Sequence, residues 1–245
     1  MPTPGHSKAA IIYFDAFRLS QIVMKAGQEI KAPPVSVTPI EPASGWEEHV
    51  PGKVGGGSSC SGVLDVDATG WDKKAFDALT DGAHLFTRLP VGGAAGGVAY
   101  LTKEIAIGEP RAFDQAQVVM LDWSGQMTEA VARGQVLTPS TLVSATGPQT
   151  GRNVGTTAST QTLVAHVLLL AVTGPGSVTV AIQESSDNGA GDAYATVSGM
   201  SAALTSAGQA ARLTFTGATE TWKRSNITAL TFTNATLLVA IGTAA

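Results

Sequence analysis

The four histidines, His6, His49, His84 and His166, are the first side chains to weigh for chemistry. They stand far apart and in no ligand spacing. With Cys60 as the single cysteine, the chain has no Cys/His set for zinc and no disulfide framework. His166 lies inside an apolar run and reads as a partly buried strand residue. His49 stands beside Glu47 and Glu48, which reads as a solvated or interface loop ahead of a metal site. The segment PGKVGGGSS, Pro51 to Ser59, looks like a phosphate loop in composition only. A Walker loop needs Gly-Lys followed by Ser or Thr, whereas Lys53 is followed by Val54 and the glycines come after it. GGAAGG, Gly92 to Gly97, does not match G-x-G-x-x-G. Asp65, Asp67, Asp72 and Asp77 form an acidic cluster, with Asp65 and Asp67 on one strand face. A glycosidase pair could be drawn from such residues, but nothing in the sequence sets the separation that chemistry needs. Ser58, Ser59 and Ser61 flank Cys60 with no G-x-S-x-G elbow. Asp187-Asn188-Gly189 reads as a hairpin turn, because a calcium loop needs more carboxylates at alternate positions. The sequons at Asn226 and Asn234 read as strand and turn residues. No catalytic residue, cofactor or metal is expected from these patterns.

The elements that would position such residues are mostly strands. Ala9–Phe14 is apolar and β-branched or aromatic, Asp15-Ala16-Phe17 is a turn candidate, and Leu19–Lys25 is a second strand, so a hairpin is expected. A long loop follows from Ile30 to Ser59, with Pro33, Pro34, Pro39, Pro42 and Pro51 excluding a central strand. Within it Val35–Ile40 could form an edge strand, and Gly55–Ser59 reads as flexible backbone. Ser59–Asp67 alternates, placing Cys60, Gly62, Leu64 and Val66 on one face. The one helix expected is Trp71–Leu79, capped by Thr69 or Gly70, with Trp71, Ala75, Ala78 and Leu79 on its apolar stripe and Phe76 broadening it. His84–Leu89, Val98–Ile107 and Gln115–Trp123 are further strands. Gln126–Arg133 fits a short helix or a continuation of the preceding strand. Ser144–Ser159 is a Gly/Thr/Pro-rich linker, and beyond it six strands at short spacing argue a β-sandwich or barrel. Among these, Leu163–Val172 reads as a fully buried strand, too short and too interrupted by His166 to span a bilayer. The expected organisation is an acidic part at 1–143, a linker at 144–159 and a strand-rich part at 160–245, packed into one domain.

Charged residues make up 14% of the chain, below the usual quarter, so much of the surface is expected to be buried against partners. Residues 1–140 hold 11 Lys+Arg against 15 Asp+Glu, a balance of −4; residues 141–245 hold 4 against 4, a balance of zero. That balance disfavours tight nucleic-acid binding, which needs a basic footprint, and suits a surface that nucleic acid slides past. The N-terminal MPTPGHSK is no secretory signal, so folding in a reducing cytoplasm is expected.

Taken in order, the run AAIIYFDAFRLS, the acidic and proline-rich loop GWEEHVPGKVGG, the strand SCSGVLDVD with its amphipathic helix, and the C-terminal LVAHVLLLAVTGPGSVTVAIQESSDNG, RLTFTG and WKRSNIT resemble the major tail (tail tube) proteins of long-tailed, non-contractile bacteriophages. The resemblance covers most of the chain; Gln126–Arg133 is the stretch that departs from it. It implies a mainly β protein, a sandwich or barrel-like tail-tube fold with one flanking helix and a long loop in the N-terminal half. It implies a structural role without enzyme activity. Copies would form rings, usually hexameric, stacked into a tube in the virion tail, after synthesis in the host cytoplasm. Tape-measure, tail terminator and distal tail proteins would be partners, and genomic DNA would pass without tight binding and without a membrane. Gly45, Trp46, Glu47, Glu48, His49, Pro51, Gly52 and Lys53 would then form an assembly loop, and Asp65 and Asp67 would face the lumen. The residues themselves leave open a trimer of duplicated sandwiches, a capsid decoration protein and a carbohydrate-binding sandwich. The last is disfavoured by 6% aromatic content and by Trp46, Trp71, Trp123 and Trp222 lying apart.

Overall fold

The computed structural model describes residues 9–21, 23–31, 34–36, 49–51, 55–63, 70–112 and 120–244; at 34–36, 49–51 and 111–112 it describes the backbone alone. The described chain is mainly β, as expected. It opens with β1 (Ile11–Phe14) and β2 (Phe17–Arg18), a hairpin turned at Asp15, whose φ is 50°. A 3₁₀ turn at Leu19–Gln21 follows, then β3 (Val23–Lys31), β4 (Pro34–Ser36), β5 (His49–Pro51) and β6 (Gly55–Val63). The helix α1 is Trp71–Ala78, with Gly70 at its N-cap and Leu79 at its C-cap. Next come β7 (Ala83–Leu89), β8 (Val98–Gly108), β9 (Arg111–Ala112), β10 (Met120–Met127) and β11 (Ala132–Val143). Gln126–Arg133 is therefore not a helix: β10 runs on to Met127 and β11 begins at Ala132. The remaining strands are β12 (Gly147–Pro148), β13 (Arg152–Asn153), β14 (Thr162–Thr173), β15 (Val178–Ser185), β16 (Ala195–Leu204), β17 (Ala210–Thr216), β18 (Trp222–Leu230) and β19 (Asn234–Ala244).

The chain forms two compact units. One holds residues 1–22, 84–103 and 131–245, the other residues 23–83 and 104–130, so β8 supplies residues to both. In the first unit β17, β14, β19 and β11 pair in that order, and a second sheet runs β12-β18-β15-β16, with β13 also on β18. Leu163, Ala165, Val167 and Leu169 of β14 join Val178, Val180, Ile182, Ile227, Leu237 and Val239 in the core between these sheets. The alternate residues Val164 and Leu168 enter another core with Tyr13, Leu89, Leu101, Val136 and Leu238. Because successive side chains point to opposite faces, a strand buried on both must be apolar nearly throughout, and LVAHVLLL is apolar at every position but His166. The expectation of a fully buried strand holds over residues 163–169, with His166 wholly buried among them; Leu170 and Val172 are half-buried and Ala171 is exposed.

Residues 144–159 carry structure of their own. Gly147–Pro148 and Arg152–Asn153 pair with β18, and Thr157 bridges to Thr219. Gly134 and Gly242 face each other across β11 and β19. A Cβ on Gly134 would run into the backbone of Ile241 and Gly242, so the two strands approach only because both positions lack a side chain.

One polar pair joins the two sheets of this unit: Thr138 Oγ1 and Ser225 Oγ lie 2.6 Å apart, both buried. Removing one partner leaves the other without a hydrogen bond in a dry core, whereas removing both is nearly neutral. We expect Thr138→Val to cost about 1–2 kcal/mol, and Thr138→Val with Ser225→Ala to cost less than the single change. Urea denaturation checks it, and strictly additive losses would sink it.

Candidate functional site

Among the described residues, those with chemical potential do not converge. His84 Nδ1 sits 2.9 Å from Asp15 Oδ2, while Asp15 Oδ1 accepts from the Leu85 N–H at 2.9 Å, so this pair ties the β1–β2 turn to β7. His166 is elsewhere in the same unit, between Thr87 Oγ1 (2.9 Å from Nδ1) and Arg212 Nη1 (3.0 Å from Nε2). A guanidinium only donates, so Nε2 accepts and the proton sits on Nδ1, donated to Thr87. Burial lowers the His166 pKa well below the ordinary imidazole value, and the Arg212 and Arg88 charges lower it further.

Asp77 pairs with Lys73 at 2.6 Å on the exposed side of α1. Asp187 is occupied by its own turn, its carboxylate accepting from the N–H groups of Ala190, Gly191 and Asp192. Loss of solvent pushes that carboxyl up, but those donors and the Ser185 hydroxyl outweigh it, and the net pKa falls. Asn188 and Gly189 both take positive φ, as the expected hairpin turn requires. Gly92–Gly97 is the turn between β7 and β8. Among the described residues no three His, Cys, Asp or Glu side chains gather to hold a metal, and no helix is long and apolar enough to cross a membrane.

The second unit presents a surface of another kind. Its strands run β8-β10-β6-β3. β3 and β6 pair from Val23↔Gly62 to Lys31↔Gly55, and β4 and β5 take up nearly the same register from Pro34↔Pro51 to Ser36↔His49. The described residues of the segment expected as loop, Ile30 to Ser59, are therefore the paired strands of an antiparallel arm. The run Gly55–Ser59 is strand, not flexible backbone. The reason is contact: a Cβ on Gly56 would strike the Glu29 carbonyl, and one on Gly57 would come within 3.0 Å of the Gly125 carbonyl oxygen. The glycines let neighbouring backbones close up. In sequence they looked like freedom; in the sheet they are a packing requirement. Of the expected assembly loop, His49 and Pro51 stand in β5, while Gly45, Trp46, Glu47, Glu48, Gly52 and Lys53 lie outside the described residues, as do the expected lumen residues Asp65 and Asp67.

The two faces of this sheet differ. One carries Ser58, Cys60, Leu121 and Trp123, all buried, with Trp71 of α1 set against Trp123 at 6.5 Å between ring centroids. Cys60 and Gly62 face this side together, as the alternation predicts. Ser58 donates to the buried Glu104 carboxylate at 2.9 Å. Phe76 does not widen the helix stripe; it is 58% exposed, because at 100° per residue it lies well off the arc of Trp71, Ala75 and Ala78. The other face is open, with small and polar residues in cross-strand rows and the exposed apolar Val63, Ile105 and Ile107 beside them. Asp122, Ser61 and Lys25 form one row, Ser124, Ser59 and Gly27 the next, then Gln126, Gly57 and Glu29. Its described charges, Lys25, Glu29, Lys31 and Asp122, balance two against two. A cleft of about 560 Å³ with a glycine floor runs over it, bounded by Ile107 on one side and Glu29 and Lys31 on the other.

β3 ends this sheet. Among the described residues it pairs with β6 alone, and of its nine residues only Val23 and Gln28 are half-buried, the rest exposed. Such a strand offers a row of free backbone donors and acceptors to another chain.

The chain is similar in structure to subunits of phage tail assemblies. A chain of the virion of a native gene transfer agent particle aligns over 53% of this chain and 98% of its own, with 18% identity and a TM-score of 0.44. The SPP1 tail tube subunit aligns over 53% of this chain and 78% of its own, with 10% identity and a TM-score of 0.42. The SPP1 Dit protein, described as a hub adsorption apparatus component, aligns over 95% of this chain and 98% of its own at 8% identity and a TM-score of 0.34. No family model and no curated protein sequence matches the chain.

The edge strand and the arm are what sequence reading missed. The signal was present as the alternating VMKAGQEIK before the prolines, but a strand read as stopping at Lys25 hides its partner.

Proposed function

We propose that this protein is a structural subunit of a phage tail tube: copies join into rings, usually six in number, that stack into the tube through which DNA passes. The observation that carries the reading is the hairpin arm of β3 to β6, long, Gly/Ser-built and open along one edge and one face. A low charge content supports it, since subunits with several buried contact surfaces need fewer solvated charges. The open sheet face suits a wall that DNA slides past: its described charges cancel, and its Gly and Ser side chains offer nothing for a base to stack on. The arm is the contact from ring to ring, and Asp65 and Asp67 face the channel. Tape-measure, tail terminator and distal tail proteins are the partners, and the virion tail is the site of action. The chemistry-bearing side chains stay in separate structural pairs, in keeping with a structural role without enzyme activity.

The test shortens the arm. Joining Lys31 to Gly55 by Asn-Gly keeps the β3–β6 register and removes residues 32–54. Concentrated wild-type protein is expected to form hollow tubes or stacked rings by negative-stain electron microscopy. The shortened protein should keep the wild-type circular dichroism spectrum and form none. Tubes of normal length from it would remove the arm from assembly, and discrete small particles from wild type under every condition would argue against a tube subunit.

A further inference from the structure

The free edge of β3 has a property the tube reading does not use: its sequence is self-complementary. Read antiparallel against itself about Gly27, VMKAGQEIK places Lys25 opposite Glu29, Met24 opposite Ile30 and Ala26 opposite Gln28. We propose that the unassembled protein is a two-fold dimer in which β3 of one copy pairs with β3 of a second, centred on Gly27.

Four observations carry this. Among the described residues β3 is hydrogen-bonded on one side only, so the row of donors and acceptors on its other side can form a second ladder. Lys25 and Glu29 share one face, since Lys25 pairs with Ser61 and Glu29 with Gly57, two steps apart on β6. Across the two-fold axis each lysine then meets the partner copy's glutamate directly, twice per dimer. Met24 and Ile30 are 74% and 45% exposed, large for apolar side chains on one short strand, and the same axis brings each against the other. β3 also lacks proline, and its lysine at position 25, a residue that usually discourages edge pairing, is answered here by the glutamate it would face. The interface is isologous, so it closes at two copies and cannot grow. A dimer of this kind covers the edge that would otherwise template uncontrolled pairing. The argument is independent of the tail-tube reading.

Charge reversal tests it, because the register makes a specific demand. Sedimentation velocity at low ionic strength is expected to show wild-type dimer. Lys25→Glu alone or Glu29→Lys alone places like charges opposite each other at both symmetric positions and should raise the dissociation constant about tenfold. The double variant K25E/E29K restores opposite charges and should restore the dimer. An equimolar mixture of the two single variants should also dimerise, as a heterodimer. Circular dichroism of each variant separates lost pairing from lost folding. As a second readout, Gly27→Cys should form an intermolecular disulfide under mild oxidation, since a residue on the axis faces itself, while Cys60 is buried. A wild-type monomer at all concentrations overturns the proposal, as does an assembly larger than two as the smallest species. Single reversals without effect, or a double variant and mixture that stay monomeric, overturn the Gly27-centred register.

Discussion

Trp123→Ala is expected to lower the unfolding free energy by about 3–5 kcal/mol, the range for deleting a fully buried aromatic. Trp123 is 1% exposed and Trp71 is wholly buried, and the two rings are the largest buried side chains of the second unit. Trp123 also lies along its own strand over Gly125: a Cβ there would fall inside the indole. Its removal strips cover from a glycine in mid-sheet and takes away the surface on which α1 rests. An eight-residue helix is too short to persist without such packing. Trp71→Ala should therefore cost nearly as much, and the double variant distinctly less than the sum, because both changes open one shared cavity. Guanidinium denaturation followed by circular dichroism measures all three. A loss below about 1 kcal/mol for Trp123→Ala, or full additivity, would show that the helix is held by something other than this pair.

The second large effect is in acid. His166 is neutral in the folded protein, because Nε2 accepts from Arg212 and because a further cation beside Arg212 and Arg88 in a buried layer is unfavourable. Its folded pKa is depressed, so on lowering the pH the unfolded chain takes up the proton first. The stabilisation is complete above the ordinary imidazole value of 6.5 and is lost as pH falls below it. Each pH unit below that value removes about 1.4 kcal/mol until the folded pKa is reached. His166→Gln, which does not titrate in this range, should start less stable and show a shallower decline between pH 6.5 and 5. Equal slopes for the two proteins would mean that His166 is not the group responsible. Within the proposed virion role, acid would then weaken the core of the subunit.

Read side by side, sequence and structure agree where the information is local. The helix at Trp71 shows in the spacing of Trp71, Ala75 and Ala78, and the doubly buried strand in the apolar run around Val167, interrupted by His166 alone, because each pattern follows from the geometry of one element. What was misread depends on residues far away in the chain. Gly55–Ser59 has the composition of a flexible loop, and only the closeness of Glu29 and Gly125 turns it into a strand. Ser144–Ser159 has the composition of a linker, and only the edge of β18 gives its backbone hydrogen bonds a destination. Periodicity marked His166 as a strand residue; the opposing Thr87 and Arg212 made it a buried neutral imidazole.

The sequence by itself thus determined the class of this protein, mainly β with a helix at Trp71, because alternation and apolar runs are written in consecutive residues. The tertiary structure alone decided which glycines are packing requirements, which strand stands at the edge and how the arm is registered. A hydrogen-bond ladder pairs residues that may be thirty positions apart, and nothing in either strand taken singly names its partner.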